Sequence, residues 1–273
     1  MAFNYEKYLR LETLPHIWCP GCGHGIVLKA LLRAIDRCGW DKNDVMVVSG
    51  IGCASRLPAY VDFNTLHTTH GRALPFATGI KMVKPGLHVV VVSGDGDTVA
   101  IGGNHFLHAC RRNIDMTLVV FNNLTYGMTG GQRSPTTPQG GRTTTTPYGN
   151  PHPTLDILAV AQAAGATYVA RSTAYHVVHM ERMIRGGLLH RGFSVIEILE
   201  DCPTAYGRRN DFRSPVAMLK HWKDVAVTLD KAQSMTPEEL AGKILIGKFH
   251  EVDAPDFADE YEMIRRNTRE ATE

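Results

Sequence analysis

Apolar positions along this chain switch repeatedly between two spacings. Between Ile26 and Cys38, the residues Val27, Leu28, Leu31, Leu32 and Ile35 recur at helical spacing, and Gly39 is placed to close the helix. Val45–Ser49 is a short run suited to a buried strand. Ala73–Val83 predicts a helix stopped by Lys84-Pro85-Gly86, and His88–Ser93 predicts an apolar strand running into Gly94-Asp95-Gly96-Asp97. Thr98–Arg112 then has a helical pattern, and Met116–Phe121 is another apolar strand ending at Asn122-Asn123. Further on, the pattern predicts helices over Leu155–Ala164 and Tyr175–His190, and strands over Thr167–Ala170 and Ser194–Leu199.

Continuously apolar strands separated by helices predict an α/β fold, a parallel sheet with helices on both faces. Ligands of such sheets bind beyond the carboxyl ends of the strands. The chemically distinctive residues of this chain fall at those ends. Residues 1–202 are expected to form the site-bearing domain. Residues 203–273 are more polar, end in a charged tail, and are expected to be a C-terminal extension packed on the core or on a partner subunit. Leu124–Pro153 breaks the rhythm with about thirty residues rich in Thr, Gly, Pro and Gln. Loops of that length are commonly functional or partner-bound; the competing reading is a disordered linker.

Composition narrows the function classes. Lys and Arg number 29 against 27 Asp and Glu in 273 residues, so neither nucleic acid nor an anionic membrane is expected as the main partner. The longest aliphatic run, Val89–Val92, is far short of the ~20 residues of a spanning helix. The N-terminus is charged and polar, without the features of a signal peptide, so a soluble cytoplasmic chain with no membrane association is expected. In a reducing compartment its six cysteines are not expected to form disulfides. Cys38 and Cys110 lie at helix ends and read as small buried apolar residues, whereas Cys19, Cys22, Cys53 and Cys202 sit in loop-like sequence.

Cys19-Pro20-Gly21-Cys22 is a C-x2-C turn directly before a helix, whose free amides stabilise negative charge on the thiolates. A zinc ribbon calls for a second C-x2-C, which is absent. A thioredoxin-like dithiol calls for a preceding strand, also absent. An iron–sulfur cluster needs two more thiolates, and Cys53 and Cys202 each follow a predicted strand closely enough to converge on the turn.

A second pattern is Gly94-Asp95-Gly96, then 25 residues, then Asn122-Asn123. Mg²⁺ takes hard oxygens in an octahedron, usually one or two protein side chains plus phosphate oxygens. Asp95 and Asn123 on adjacent loops supply two such oxygens, and the Thr125 carbonyl a third. The glycines allow close approach to phosphate. The rival dinucleotide fingerprint lacks its third glycine, and no Walker-type loop occurs.

Taken together, Cys-Pro-Gly-Cys-Gly-His-Gly at 19–25, Gly50-Ile51-Gly52-Cys53, Thr69-His70-Gly71-Arg72-Ala73, Gly94-Asp95-Gly96-Asp97 with Ile101-Gly102-Gly103-Asn104-His105, and Asn122-Asn123 with Tyr126-Gly127-Met128-Thr129-Gly130-Gly131-Gln132 resemble the beta subunit of 2-oxoacid:ferredoxin oxidoreductases. The resemblance runs from Trp18 to Tyr206, keeps the family order, and is greatest to the 2-oxoglutarate enzymes. It implies the thiamine-diphosphate-binding fold and three cofactors: thiamine diphosphate, Mg²⁺ and one [4Fe-4S] cluster. Cys19, Cys22, Cys53 and Cys202 would hold the cluster, and Asp95, Asn123 and Thr125 the Mg²⁺. Ile51, Gly52, Cys53, Ala54, His70, Gly71, Gly96, Asp97, Gly127 and Met128 would line the thiamine diphosphate.

The implied reaction is CoA-dependent oxidative decarboxylation of 2-oxoglutarate to succinyl-CoA and CO₂, with electrons leaving through the cluster to ferredoxin. Run in reverse, it would fix CO₂. Pyruvate or a broader 2-oxoacid is the alternative substrate, and a thiamine-dependent decarboxylase without redox chemistry the alternative class. An iron–sulfur carrier without catalysis would leave the Gly-Asp-Gly and Asn-Asn pair unexplained. Arg56 is a candidate for the substrate's second carboxylate, or else forms a surface or interface salt bridge. His70 is a candidate for proton transfer, or else structural, and His24 and His67 are read as structural. No glutamate suited to activating the aminopyrimidine is apparent. Related enzymes take it from an alpha subunit, so a heterodimer or dimer of heterodimers is expected, inactive without that partner.

Overall fold

The apolar runs assemble into one sheet whose parallel strands bring the candidate site residues to a common edge. The structure is a computed structural model and describes residues 3–270. In chain order the elements are α1 (His24–Asp36), β1 (Val45–Ser49), β2 (Asn64–His67), α2 (Ala73–Val83), β3 (His88–Gly94), α3 (Gly103–Arg112) and β4 (Met116–Asn122). A small antiparallel hairpin follows, β5 (Thr125–Tyr126) with β6 (Gln132–Arg133), then α4 (Ile157–Ala163), β7 (Tyr168–Thr173), α5 (Val177–Leu189) and β8 (Phe193–Leu199). The remainder is α6 (Pro215–Val225), β9 (Ala226–Thr228), α7 (Leu229–Ala232), α8 (Pro237–Leu240), β10 (Ile244–Glu251) and α9 (Phe257–Glu270).

Eight strands form the main sheet in the order β2-β1-β3-β4-β8-β7-β10-β9. All neighbours from β2 through β7 are parallel. Alternation across the pleat explains why the strands are apolar throughout. Val90, Val92, Val119, Phe121, Ile196 and Ile198 face α1 and α5, whereas Val89, Val91, Leu118, Val120, Phe193 and Val195 face α2, α3 and α4. Both faces are covered, so both residue sets are buried.

The structure departs from the sequence pattern in four places. The expected helix over Thr98–Arg112 is broken: Asp97–Ile101 forms a wide π turn, and the regular helix begins only at Gly103. The break falls at Gly102, where a Cβ would collide with the Asp97 carbonyl. Strand β2 was not anticipated, because its residues are exposed or half-buried at the sheet edge. Strand β10 was not anticipated either. It pairs antiparallel with β7 and draws β9 in beside it, so part of the C-terminal extension completes the sheet. The long Thr-rich segment is ordered by its own polar groups. Thr137 Oγ1 donates to the Leu124 carbonyl (2.6 Å), and the Asn150 side-chain amide donates to the Thr137 carbonyl (2.8 Å). Among the described residues, no helix is long and apolar enough to cross a membrane.

Candidate functional site

Because β1, β2, β3, β4 and β8 run parallel, the loops after them share one edge. The C-x2-C turn reaches the same edge from the start of α1. Gly21 in that turn has φ +79°, and a Cβ there would overlap the Pro215 ring, so the turn is both left-handed and tightly covered. The Gly23 amide donates to the Asp201 carbonyl (3.1 Å), fastening the turn to the loop that carries Cys202. The Trp18 indole donates to the Cys53 carbonyl (2.7 Å), fastening the loop after β1.

Cys19, Cys22, Cys53 and Cys202 consequently line one cavity of about 80 Å³, together with Trp18, His24, Asn123, Gly127 and Met128. A Cβ built on Gly127 would lie 3.4 Å from Cys202 Sγ and 3.6 Å from Cys53 Sγ. All six cysteines are free thiols. Burial, then the charge of neighbouring Cys202, pushes the Cys53 thiol up to about 12. Burial also raises Cys22 and Cys202, with the Glu200 carboxylate adding to both. Four thiols gathered on one cavity, three of them (Cys22, Cys53 and Cys202) made hard to ionise by burial, form a donor set that positive metal ions would convert to thiolate ligands. The residues therefore fit a cluster. Cys110 is buried, and half-buried Cys38 donates to the Ala34 carbonyl (3.2 Å); both lie outside this cavity.

A second cavity of about 170 Å³ is lined by Ile51, Gly52, Cys53, Ala54, His70, Gly94, Asp95, Gly96, Asp97, Asn123, Thr125, Tyr126, Gly127, Met128 and Thr129. His24, Cys53, Asn123, Gly127 and Met128 line both cavities, so the two are adjacent. Asp95, at the end of β3, is 2% exposed, and its neighbours Asn123 and Thr125 are likewise buried. Burial pushes the Asp95 carboxyl up to about 6, against hydroxyl donors that lower it, and no basic side chain offsets it. Ser134 donates to Asp95 Oδ2 at 2.5 Å, and Thr136 donates to the same oxygen. A buried carboxylate without a basic partner, on the same cavity as the buried Asn123 amide and the Thr125 backbone, fits a divalent cation.

Asp97 lines the cavity, but its carboxylate serves the loops around it. It accepts from the Gly71 amide (2.7 Å), Ser93 Oγ (2.7 Å), the Ile51 amide (3.3 Å) and His70 Nδ1 (2.5 Å). One side chain thus ties together the loops after β1, β2 and β3. With Nδ1 donating to Asp97, Nε2 is the ring nitrogen left to exchange a proton. Gly71 lies outside the cavity lining, where its amide holds Asp97. Arg56 lies in the short 3₁₀ helix Ala54–Ala59 and outside both linings, with its Nε buried and unpartnered.

Sequence reasoning overlooked Ser134 and Thr136, hidden in a segment with no periodic signal. It also overlooked Tyr126, whose ring packs over Gly96 so closely that a Cβ there would clash. A third cavity is larger, about 440 Å³, and lies between the sheet and the C-terminal extension. It contains none of the four loop cysteines, Asp95 or Asn123. Its floor is the buried pair Arg171–Glu197 (2.5 Å), with Asn122 donating to Glu197 (2.7 Å).

Residues 50–198 match the family model for the thiamine pyrophosphate enzyme C-terminal TPP-binding domain. The chain is 52% identical over 254 residues to the 2-oxoglutarate synthase subunit KorB of Methanocaldococcus jannaschii, covering 93% of this chain and 94% of that one. It is 50% identical over 274 residues to the KorB subunit of Archaeoglobus fulgidus, covering 98% and 97%. Its fold superposes on the 2-oxoglutarate:ferredoxin oxidoreductase of Magnetococcus marinus, solved with 2-oxoglutarate, coenzyme A and succinyl-CoA bound. The TM-score is 0.87 at 34% identity, with 97% of this chain and 91% of that one covered. The thiamine-domain match includes all of the second cavity's lining except His24 and, of the four loop cysteines, only Cys53.

Proposed function

The chain belongs to the 2-oxoacid:ferredoxin oxidoreductase beta-subunit family, together with the archaeal 2-oxoglutarate synthase KorB subunits, and from that premise we propose that it binds thiamine diphosphate, Mg²⁺ and one [4Fe-4S] cluster in a 2-oxoglutarate:ferredoxin oxidoreductase. The observation that carries this reading is the shared wall of the two cavities. A cysteine pocket and a buried-carboxylate pocket separated only by common lining residues suit a decarboxylating centre that hands electrons directly to a metal centre.

In this reading Asp95, Asn123 and the Thr125 carbonyl hold the cation, and Ser134 and Thr136 keep Asp95 turned toward it. Gly96, Gly127 and the Ile51–Ala54 turn give the diphosphate and ring close access. Met128 and Ile51 wall the cavity with apolar surface that limits water. Thiamine diphosphate supplies the electron sink for decarboxylation when bound. His70, aimed by Asp97, takes or returns a proton at Nε2. Arg56, three residues beyond Cys53, is the chain's candidate for the second carboxylate of a 2-oxodicarboxylate, which a guanidinium binds through paired hydrogen bonds. Coenzyme A takes the acyl group and ferredoxin the electrons; running in reverse, the same site would fix CO₂. Residues 203–273 are proposed as an extension of the 1–202 site domain.

No glutamate lines the thiamine cavity among the described residues. We assign the group that activates the aminopyrimidine to an alpha subunit. The exposed apolar residues Phe76 on α2, and Ile101 and Leu107 around α3, offer surface for that partner.

Anaerobic co-purification with the alpha subunit, followed by iron, sulfide and thiamine analysis, tests the reading. About four irons and one thiamine diphosphate per chain are expected, with iron lost on Cys19→Ser. Thiamine without iron would leave a non-redox decarboxylase, and iron without thiamine an electron carrier. Assay with 2-oxoglutarate against pyruvate decides the substrate.

A further inference from the structure

The mouth of the cysteine pocket is charged on one side only. Cys19 is exposed there, and the exposed apolar residues Ile17 and Met128 line the pocket beside it. Two of the segments around this mouth, 14–23 and 127–132, carry no Asp, Glu, Lys or Arg. The third follows Cys202, and there Arg208, Arg209 and Arg213 stand against a single acid, Asp211.

The backbone holds these arginines at the pocket. Pro203, Thr204 and Ala205 line it, and the chain then turns back on itself. The Gly207 amide donates to the Cys202 carbonyl (2.9 Å), and the Arg208 amide to the Pro203 carbonyl (3.1 Å). Arg209 Nη1 donates to the Ala205 carbonyl (3.2 Å), which sets its guanidinium on the rim. Arg213 lies two residues before Pro215, whose ring covers Gly21 of the C-x2-C turn. Arg142 joins them from the Thr-rich segment: its amide donates to Asn210 Oδ1 (2.8 Å), and its guanidinium lies 3.4 Å from Asp211.

Four arginines against one aspartate leave a surplus of three positive charges, on a chain whose net charge is only +2. Guanidinium groups stay charged at any working pH, so the patch does not depend on a titration. Arg208 and Arg213 are exposed, and neither side chain has an ion-pair partner among the described residues. Folding gains nothing from like charges held side by side, whereas an acidic partner does.

We propose that this rim is the docking face for the electron acceptor, a one-electron carrier protein with an acidic surface. The proposal rests on the cluster reading above and adds where the carrier sits. The arginines steer and orient the carrier, and the apolar mouth at Ile17 and Met128 excludes water at the closest approach. One electron passes from the reduced cluster to the oxidised carrier in each encounter; no bond forms or breaks and no proton moves. Redox encounters of this kind are small and short-lived, which suits a rim built from a few loops. The apolar surface offered to the alpha subunit lies around α2 and α3, on the opposite face of the sheet from α1, so both partners can be held at once.

The test uses the anaerobic complex with its alpha subunit, as parent, Arg208→Glu with Arg213→Glu, and Arg185→Glu. Arg185 donates to the Arg37 carbonyl, at the opposite end of α1 from the cysteine turn. Iron is counted, and 2-oxoglutarate oxidation is followed with an acidic ferredoxin and, separately, with methyl viologen, a small cation that needs no docking face. At low ionic strength the double variant should lose about tenfold in kcat/KM for ferredoxin, and added salt should close the gap. Its iron and its viologen rate should match the parent, and Arg185→Glu should match the parent throughout. If charge reversal costs iron, Arg208→Gln with Arg213→Gln makes the same comparison, with a smaller loss expected. An unchanged kcat/KM for ferredoxin at full iron would overturn the docking face and leave the cluster reading intact. So would an equal loss in Arg185→Glu, which would reflect net charge alone, or a fall in the viologen rate at full iron. Failure of the double variant to co-purify with the alpha subunit would give the face to that subunit instead. A parent without iron would overturn the cluster reading and this proposal with it.

Discussion

Thr136 carries the first residue-scale expectation. Its hydroxyl contacts both Asp95 and Asn122, so it joins the proposed cation ligand to the lining of the larger cavity. Hydrogen bonds to charged groups contribute about 1.5–3 kcal/mol. Thr136→Val should therefore raise the Mg²⁺ concentration for half-saturated thiamine diphosphate binding about tenfold or more, and Thr136→Ser should hardly change it. Titration of thiamine-dependent fluorescence quenching reads this. His179 supplies a pH expectation. Burial, reinforced by the nearby Arg182 and His176 charges, depresses it to about 4, and Ser172 Oγ lies 2.8 Å from its Nδ1. A depressed histidine contributes stability that is present above the unfolded value near 6.5 and lost as pH falls toward 4. His179→Gln should therefore lose less stability than the parent over that window, as read by urea unfolding at successive pH values. At this scale the sequence was legible where residue type and spacing coincide, as for the four loop cysteines, Asp95 and Asn123. It was silent on Ser134 and Thr136, because serine and threonine in a loop have no periodic signature and their partner lies about forty residues away.

Among elements, four of the strands buried on both faces lie within a residue of their apolar runs, whereas β7 continues three residues past the expected Ala170, through the polar Arg171, Ser172 and Thr173, which break the run. β2 escaped because an edge strand does not need an apolar residue at every position, and β10, although flanked by β7 and β9, escaped because most of its residues are half-buried or exposed. The charged pair inside the sheet is the informative exception. Arg171 on β7 stands opposite Glu197 on β8, 2.5 Å apart, with Glu197 almost fully buried. Breaking a buried pair leaves an uncompensated charge, which costs about 3–5 kcal/mol. Arg171→Leu should destabilise the chain on that scale, whereas Arg171→Leu with Glu197→Leu should recover most of the loss. Denaturant unfolding of the two variants decides it, and equal destabilisation of both would show that the pair does more than neutralise itself.

At the scale of the whole molecule, the parallel sheet explains how residues from 19 to 202 meet at one edge, and why one fold can hold two candidate cofactor cavities side by side. What the fold lacks is equally definite: among the described residues no carboxylate of a glutamate reaches the thiamine cavity. The purified chain alone should bind thiamine diphosphate weakly and show no 2-oxoacid decarboxylation, with activity appearing on addition of the alpha subunit. Turnover by the isolated chain would place the activating group on its own residues. The central claim is that electrons pass directly between the adjacent cavities. Rapid-freeze EPR of the anaerobic complex, mixed with 2-oxoglutarate and coenzyme A in the absence of ferredoxin, tests it most directly. The account predicts a reduced-cluster signal within a single turnover, abolished by Cys53→Ser. Decarboxylation without any cluster signal would contradict it.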